Sequence, residues 1–174
     1  PSPTDTKTNI SVILPLFSDR YSNPTNNASK EVLEGIKFAI NEYNQNNFSK
    51  VGLLIRDTKR NRENITEINN ELRGIRNIAA IIGPLFSDEV RIAAETFKST
   101  DIPLISPTAT DNDLLGINNY FFQANPSFDM RGRVMAQYLI FVENKRNIAV
   151  FNRDDGYSAL LAQSFIEEFQ KFGG

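Results

Sequence analysis

The chain has 174 residues, 40% hydrophobic and 23% charged, with a formal net charge of −2; that allows one good core or slightly more and is short for two complete domains. Scattered lysines and arginines near neutrality give no field for nucleic acid or anionic lipid, and no apolar run approaches the ~20 residues that span a bilayer. With neither cysteine nor histidine, disulfides, thiolate and imidazole metal sites and a Ser-His-Asp triad are excluded, and no cofactor is expected.

Short apolar runs alternate with helical periodicity. Asn9 to Phe17 (NISVILPLF) has the aliphatic, β-branched composition of a strand buried on both faces. Ser29 is a candidate cap for a helix reaching about Asn44, with Val32, Leu33, Ile36, Ala39, Ile40 and Tyr43 on one stripe. Val51 to Ile55 reads as a second strand, Glu63 to Arg73 as a polar helix, and Ile78 to Ile82 as a third strand stopping at Gly83-Pro84. Val90, Ala93, Ala94 and Phe97 mark the next helix, and Ile102 to Ile105 and Tyr120 to Gln123 two further strands. Past Asn125-Pro126 a helix is predicted to turn Val134, Met135, Tyr138, Leu139 and Val142 inward. Asn147 to Phe151 reads as a sixth strand and Tyr157 to Phe169 as a last helix. Strands alternating with helices predict βαβ units, a doubly wound parallel α/β sheet, with ligands beyond the carboxyl ends of the strands.

That rule selects the loops after the first, third and fourth strands. After the third the chain reads GPLFSDEV, with Ser87 where a helix should start. A helix start offers unpaired amides and partial positive charge to a small anion, while serine is also a common N-cap, so both roles stay open. The fourth strand runs into PLISPTATDND, whose Thr108 and Thr110 hydroxyls could face the Ser87 loop. Thr110 and Asp113 also fit a weak capping box, and Asp111 and Asp113 are expected to point outward or cap the turn.

The run IIGPLFSDEVRIAAETFKSTDIPLISPTATDNDL resembles the core signature of type I periplasmic binding proteins, the Leu/Ile/Val-binding family. The likeness extends from ISVILPLF through EVLEGIKFAINEYN to NIAVFNRDDGYSALLAQSFIEEF. It implies a flavodoxin-like first lobe over residues 8–126 and the start of a second α/β lobe over 127–174. It also implies that Ser87 binds a ligand carboxylate by hydroxyl and amide, that Thr110 does the same, and that the Thr108 carbonyl accepts from an ammonium group. Tyr157 matches the tyrosine that closes over the ligand; its plainer reading is a half-buried aromatic opening a helix. Arg20 and Tyr21, in the loop FSDRYS, would line the side-chain pocket.

The function implied is an extracytoplasmic solute receptor that captures an amino acid or similar zwitterion between two hinged lobes for an ABC-type transporter. A membrane permease is the implied partner, the location periplasmic or extracellular, with lipid anchoring an option. The chain departs from the family in a longer, asparagine-rich loop from Ser18 to Ala28. It also stops at Gly174, about halfway through a family member, which suggests a fragment or self-association with a second copy. Its start at Pro1 fits a processed secreted protein or a piece of a longer chain. The alternatives within the fold are a regulatory domain like penicillin-binding protein activators and a sensory receptor ectodomain. An enzyme using Asp57, Asp154 or Asp155 lacks a nucleophile–base pair. Asn-x-Ser/Thr triplets at Asn9, Asn27, Asn47 and Asn64 would matter only in a glycosylating host.

Overall fold

A computed structural model describes residues 8–18, 24–154 and 156–174. They form two compact units. The first takes in the described residues up to Ala109 together with Asp113–Ala124, and the second takes in Thr110–Asn112 and Asn125–Gly174.

The first unit is a five-stranded parallel sheet in the order β2-β1-β3-β4-β5. The strands are β1 (Thr8–Leu14), β2 (Val51–Asp57), β3 (Ile78–Ile82), β4 (Leu104–Ser106) and β5 (Phe121–Gln123), and the helices are α1 (Pro24–Asn46), α2 (Arg62–Arg73) and α3 (Ser87–Thr96). Period-two alternation divides the core. Val12 and Leu14 pack with Leu53, Ile55 and Leu33 of α1, while Ile13 and Leu54 pack with Ile65, Ile68 and Leu72 of α2, with Val90 and Ala93 of α3 and with Phe97 just after it. Both faces of β1 are therefore covered, which is why it reads as an unbroken aliphatic run. The strand order reverses between β1 and β3, so the loops leaving these strands flank the switch point where such sheets take ligands.

Three local features differ from the sequence reading. The first helix begins at Pro24, because proline's fixed φ suits a first helical turn; Ser29 is thus a buried residue of the second turn and not a cap. β4 is shifted to Leu104–Ser106, which brings the Ser106 hydroxyl to the exit of the strand. Asn9, in one of the glycosylation triplets, is buried within β1.

Gly83 ends β3 with φ +102°, and a Cβ there would lie 2.1 Å from the carbonyl oxygen of Ile13. Only glycine lets the β3 exit run this close to β1.

The second unit is built on α4 (Phe128–Gln137), continued by a π-helical turn (Tyr138–Val142), packed on α5 (Gly156–Lys171). Here the sequence expectation is corrected. The residues turned toward α5 are Gly132, Ala136 and Ile140, against Phe165 and Phe169. Val134, Met135, Tyr138 and Val142, predicted to face inward, are 48% to 61% exposed, and of the five only Leu139 joins the core margin. The reason is closeness. A Cβ on Gly132 would lie 2.6 Å from the Leu161 carbonyl oxygen and 2.0 Å from Ser164 Oγ, so the contacting face takes the smallest residues and the larger ones point elsewhere.

Asn147–Phe151 is not a strand. A strand requires a neighbour to exchange main-chain hydrogen bonds, and the described residues of this unit contain no strand. The run has no regular secondary structure, and its Ile148, Val150 and Phe151 border a groove along α5. No helix among the described residues is long and apolar enough to cross a membrane.

Candidate functional site

In the first unit the loop after β1 is held by an acid from β2. Asp57 accepts from the backbone N–H groups of Leu16 (2.9 Å), Phe17 (3.1 Å) and Ser18 (2.8 Å), and from the Ser18 hydroxyl (2.9 Å). Lys59 N–H also donates to it at 3.0 Å. Burial pushes its carboxyl pKa up, but the donated hydrogen bonds outweigh burial and hold it below the ordinary carboxylate value. Sequence reading offered Asp57 only as a candidate catalytic acid; its carboxylate instead organises the loop beside the switch point.

The loops after β3 and β4 are stitched together by hydroxyls. Ser106 Oγ donates to the Pro84 carbonyl at 2.8 Å and accepts from Ala109 N–H at 3.3 Å. Thr108 Oγ1 donates to the Leu85 carbonyl at 2.6 Å. The hydroxyl-rich exit of PLISPTATDND thus fixes the GPLF loop from which α3 departs. Asp111 and Asp113 are exposed, and Asp113 pairs with Arg91 at 2.6 Å.

Ser87 is the first helical residue of α3, while the N-cap is Phe86, which makes no side-chain capping bond. This amends the capping reading of Ser87, since capping belongs to the residue before the first helical one. Two acids follow. Asp88 is paired with Arg60 at 2.8 Å, and the same guanidinium lies 4.5 Å over the Phe86 ring. Glu89 is buried and receives the Thr58 hydroxyl on Oε1, while Oε2 has no hydrogen-bond partner. Burial is the main cause pushing its pKa up to about 7, with the neighbouring Asp88 and Asp57 adding to it and Thr58 and Arg60 opposing. Ion pairing of one acid and burial of the other thus limit the negative charge at the helix start.

In the second unit, the Thr110 carbonyl accepts from Phe128 N–H at 3.4 Å. The Phe128 ring is stacked on Tyr157, with centroids 5.1 Å apart and planes at 25°. Phe128, which the sequence places at the crossing near Asn125 to Phe128 and does not mark as a site residue, therefore links two predicted site residues, Thr110 and Tyr157. Its signal was available only in hindsight, as an aromatic just after the Pro126-Ser127 helix start. Arg20, Tyr21 and Asp155 fall outside the described residues, and Asp154 is exposed. Among the described residues there is no cluster of acids that could hold a metal.

The family profile described as periplasmic binding protein matches residues 14–174. The chain belongs to that family. No curated protein matches it. Among solved structures, the leucine-binding protein LivK of Thermotoga maritima is 22% identical with a TM-score of 0.62, covering 96% of this chain and 47% of LivK. A Desulfitobacterium hafniense ABC transporter substrate-binding protein in complex with Leu is 24% identical, TM-score 0.68, covering 95% and 48%. A solute-binding protein of an ABC transporter from Rhodopseudomonas palustris, in complex with 3,4-dihydroxybenzoic acid, is 16% identical, TM-score 0.67, covering 96% and 45%. The chain therefore spans about half the length of the periplasmic binding proteins whose fold it shares. The α/β sheet described above is the lobe fold of these proteins, and its helices and loops carry the expected order.

Proposed function

We propose that this chain is part of an extracytoplasmic receptor that captures a small carboxylate-bearing solute, an amino acid or similar zwitterion, for an ABC-type transporter. The observation that carries this reading is the start of α3. Ser87 opens the helix beyond the carboxyl end of β3, beside the β1/β3 switch point, without a capping side chain from Phe86 and with its neighbouring acids paired or buried. Such an end favours a carboxylate. The proposed contacts are Ser87 through hydroxyl and amide, Thr110 likewise, the Thr108 carbonyl toward an ammonium group, and Tyr157 over the solute. Family membership supports an extracytoplasmic location and a membrane permease as partner. The structural relatives named above are solute-binding proteins, and nothing in them favours the regulatory alternative.

Calorimetry of the full-length protein against amino acids and small carboxylates tests the assignment. A hydrogen bond to a charged group contributes about 1.5–3 kcal/mol, so Ser87→Ala and Thr110→Ala should each weaken binding by roughly tenfold or more. Binding that neither substitution weakens would overturn the site.

A further inference from the structure

We propose that a proton on Glu89 is a co-ligand of the captured solute, so that the start of α3 holds a carboxylate tightly while Glu89 is neutral and weakly once it is ionised. The inference rests on the solute-receptor reading and adds its regulation. Glu89 lies in the first turn of α3, two residues from Ser87, and is 1% exposed. Further chain packed on this unit can only deepen that burial. The Thr58 hydroxyl donates to Oε1, and Oε2 has no hydrogen-bond partner.

The charged groups acting on Glu89 come from two sides. Asp57 and Arg60 face it from the end of β2 and the turn that follows, and Asp88 stands beside it on α3. Arg60 is committed to Asp88, donating to its two oxygens at 2.9 and 2.8 Å, and Asp57 is engaged by the loop after β1. Between α2 and α3, Arg62 pairs with Glu95 further along the helix. A buried carboxylate with one donor and no counter-charge of its own is a poor anion, and burial pushes the Glu89 pKa up to about 7. A solute carboxylate at Ser87 would add a second negative charge within the same helical turn. Like charges that close, at a partly solvated site, repel enough to change affinity about three- to tenfold. By reciprocity the bound solute raises the proton affinity of Glu89 by the same factor, so binding near neutral pH takes up part of a proton from the solvent. The Thr58 hydroxyl, which favours the ionised form, sets the pH at which this happens.

The test is calorimetry of the full-length protein with L-leucine, L-isoleucine, L-phenylalanine and 4-hydroxybenzoate, whose carboxylates stay ionised between about pH 6 and 8. The tightest binder is then titrated across that range, and near neutrality in phosphate and in Tris, whose different ionisation heats count the protons taken up. Affinity should fall about three- to tenfold from the acidic to the basic end, with uptake of part of a proton near pH 7. Glu89→Gln should bind at the basic end about as tightly as wild type does at the acidic end, without proton uptake; a purely structural role would change affinity equally at every pH. Thr58→Val, which removes the donor to the ionised form, should move the fall in affinity to higher pH and keeps the proposal testable if Glu89→Gln does not fold. A flat wild-type profile, a fall that persists in Glu89→Gln, or one that stays in place in Thr58→Val overturns the proposal while leaving the solute reading intact. Failure of all four to bind overturns the solute reading itself.

Discussion

Ser18 meets Asp57 twice, through its backbone N–H at 2.8 Å and its hydroxyl at 2.9 Å, both on the same carboxylate oxygen. With Leu16 and Phe17 donating to the other oxygen, one side chain from β2 orders the loop that leaves β1. Charge-assisted bonds of this kind are the strong ones, and partial exposure tempers them. Asp57→Ala should therefore destabilise the protein by about 2–4 kcal/mol, read as a lower midpoint in urea. The pH dependence has a definite sign. The folded carboxyl titrates below its ordinary value of 3.8, so its contribution is complete above that value and is lost as pH falls through the lower folded value. Asp57→Asn should remove this acid-limb loss, and an identical acid limb in wild type and variant would count against the pin.

Glu89 behaves in the opposite sense. Its folded pKa is pushed up to about 7 from an ordinary 4.5, chiefly because the charged form is desolvated. The stabilising preference for the protonated form is complete below 4.5 and is lost as pH rises through about 7. The wild type should thus lose on the order of 3 kcal/mol of unfolding free energy between pH 4.5 and 7.5 through this group. Glu89→Gln still accepts the Thr58 hydroxyl at its amide oxygen and cannot ionise. Urea titrations at several pH values should show a flatter profile for the variant and higher stability than wild type at pH 8. Parallel profiles would rule out Glu89 as the source.

At Gly83 the backbone leaves no room for another residue. The conformation, φ +102°, is one that side-chain-bearing residues avoid, and the Ile13 carbonyl oxygen would stand 2.1 Å from any Cβ. Because the obstacle is the backbone of β1 rather than a movable side chain, relief requires parting the two central strands. Gly83→Ala should cost more than about 3 kcal/mol. A melting temperature within a degree or two of wild type would show that the strands can part cheaply.

How much could be read from residues alone follows a physical line. The strands β1 to β3 and the helices α2 and α3 were legible because burial on one or both faces imprints a local period. Their junction at Ser87 was legible because Gly83-Pro84 stops a strand. The Asp57 pin was not, since it joins residues 39 to 41 apart and no local pattern records it. The strand predicted at Asn147–Phe151 failed for the same reason: its aliphatic run has the right composition, but a strand exists only with a partner. Likewise Phe128 lay hidden because stacking on Tyr157 is a tertiary relationship between two helix starts.

Bulk does not mark the inward face of α4. Helices that approach closely bury what is small, and Gly132 and Ala136 form that face with Ile140. Gly132 stands where a Cβ would fall 2.6 Å from the Leu161 carbonyl oxygen, 2.8 Å from Phe165 N and 2.0 Å from Ser164 Oγ. The serine side chain can rotate away; the two backbone atoms of α5 cannot. Alanine's better helix propensity is worth about 1 kcal/mol over glycine, so an exposed site would gain from the change. Here Gly132→Ala should instead destabilise by about 1–3 kcal/mol, as overpacking forces α4 and α5 apart. Denaturation of the variant beside Gly35→Ala, where nothing lies within 4 Å of a Cβ, separates the two effects. The expected result is a loss at Gly132 and a gain at Gly35; a gain at both positions would mean that α4 and α5 are not in such close contact.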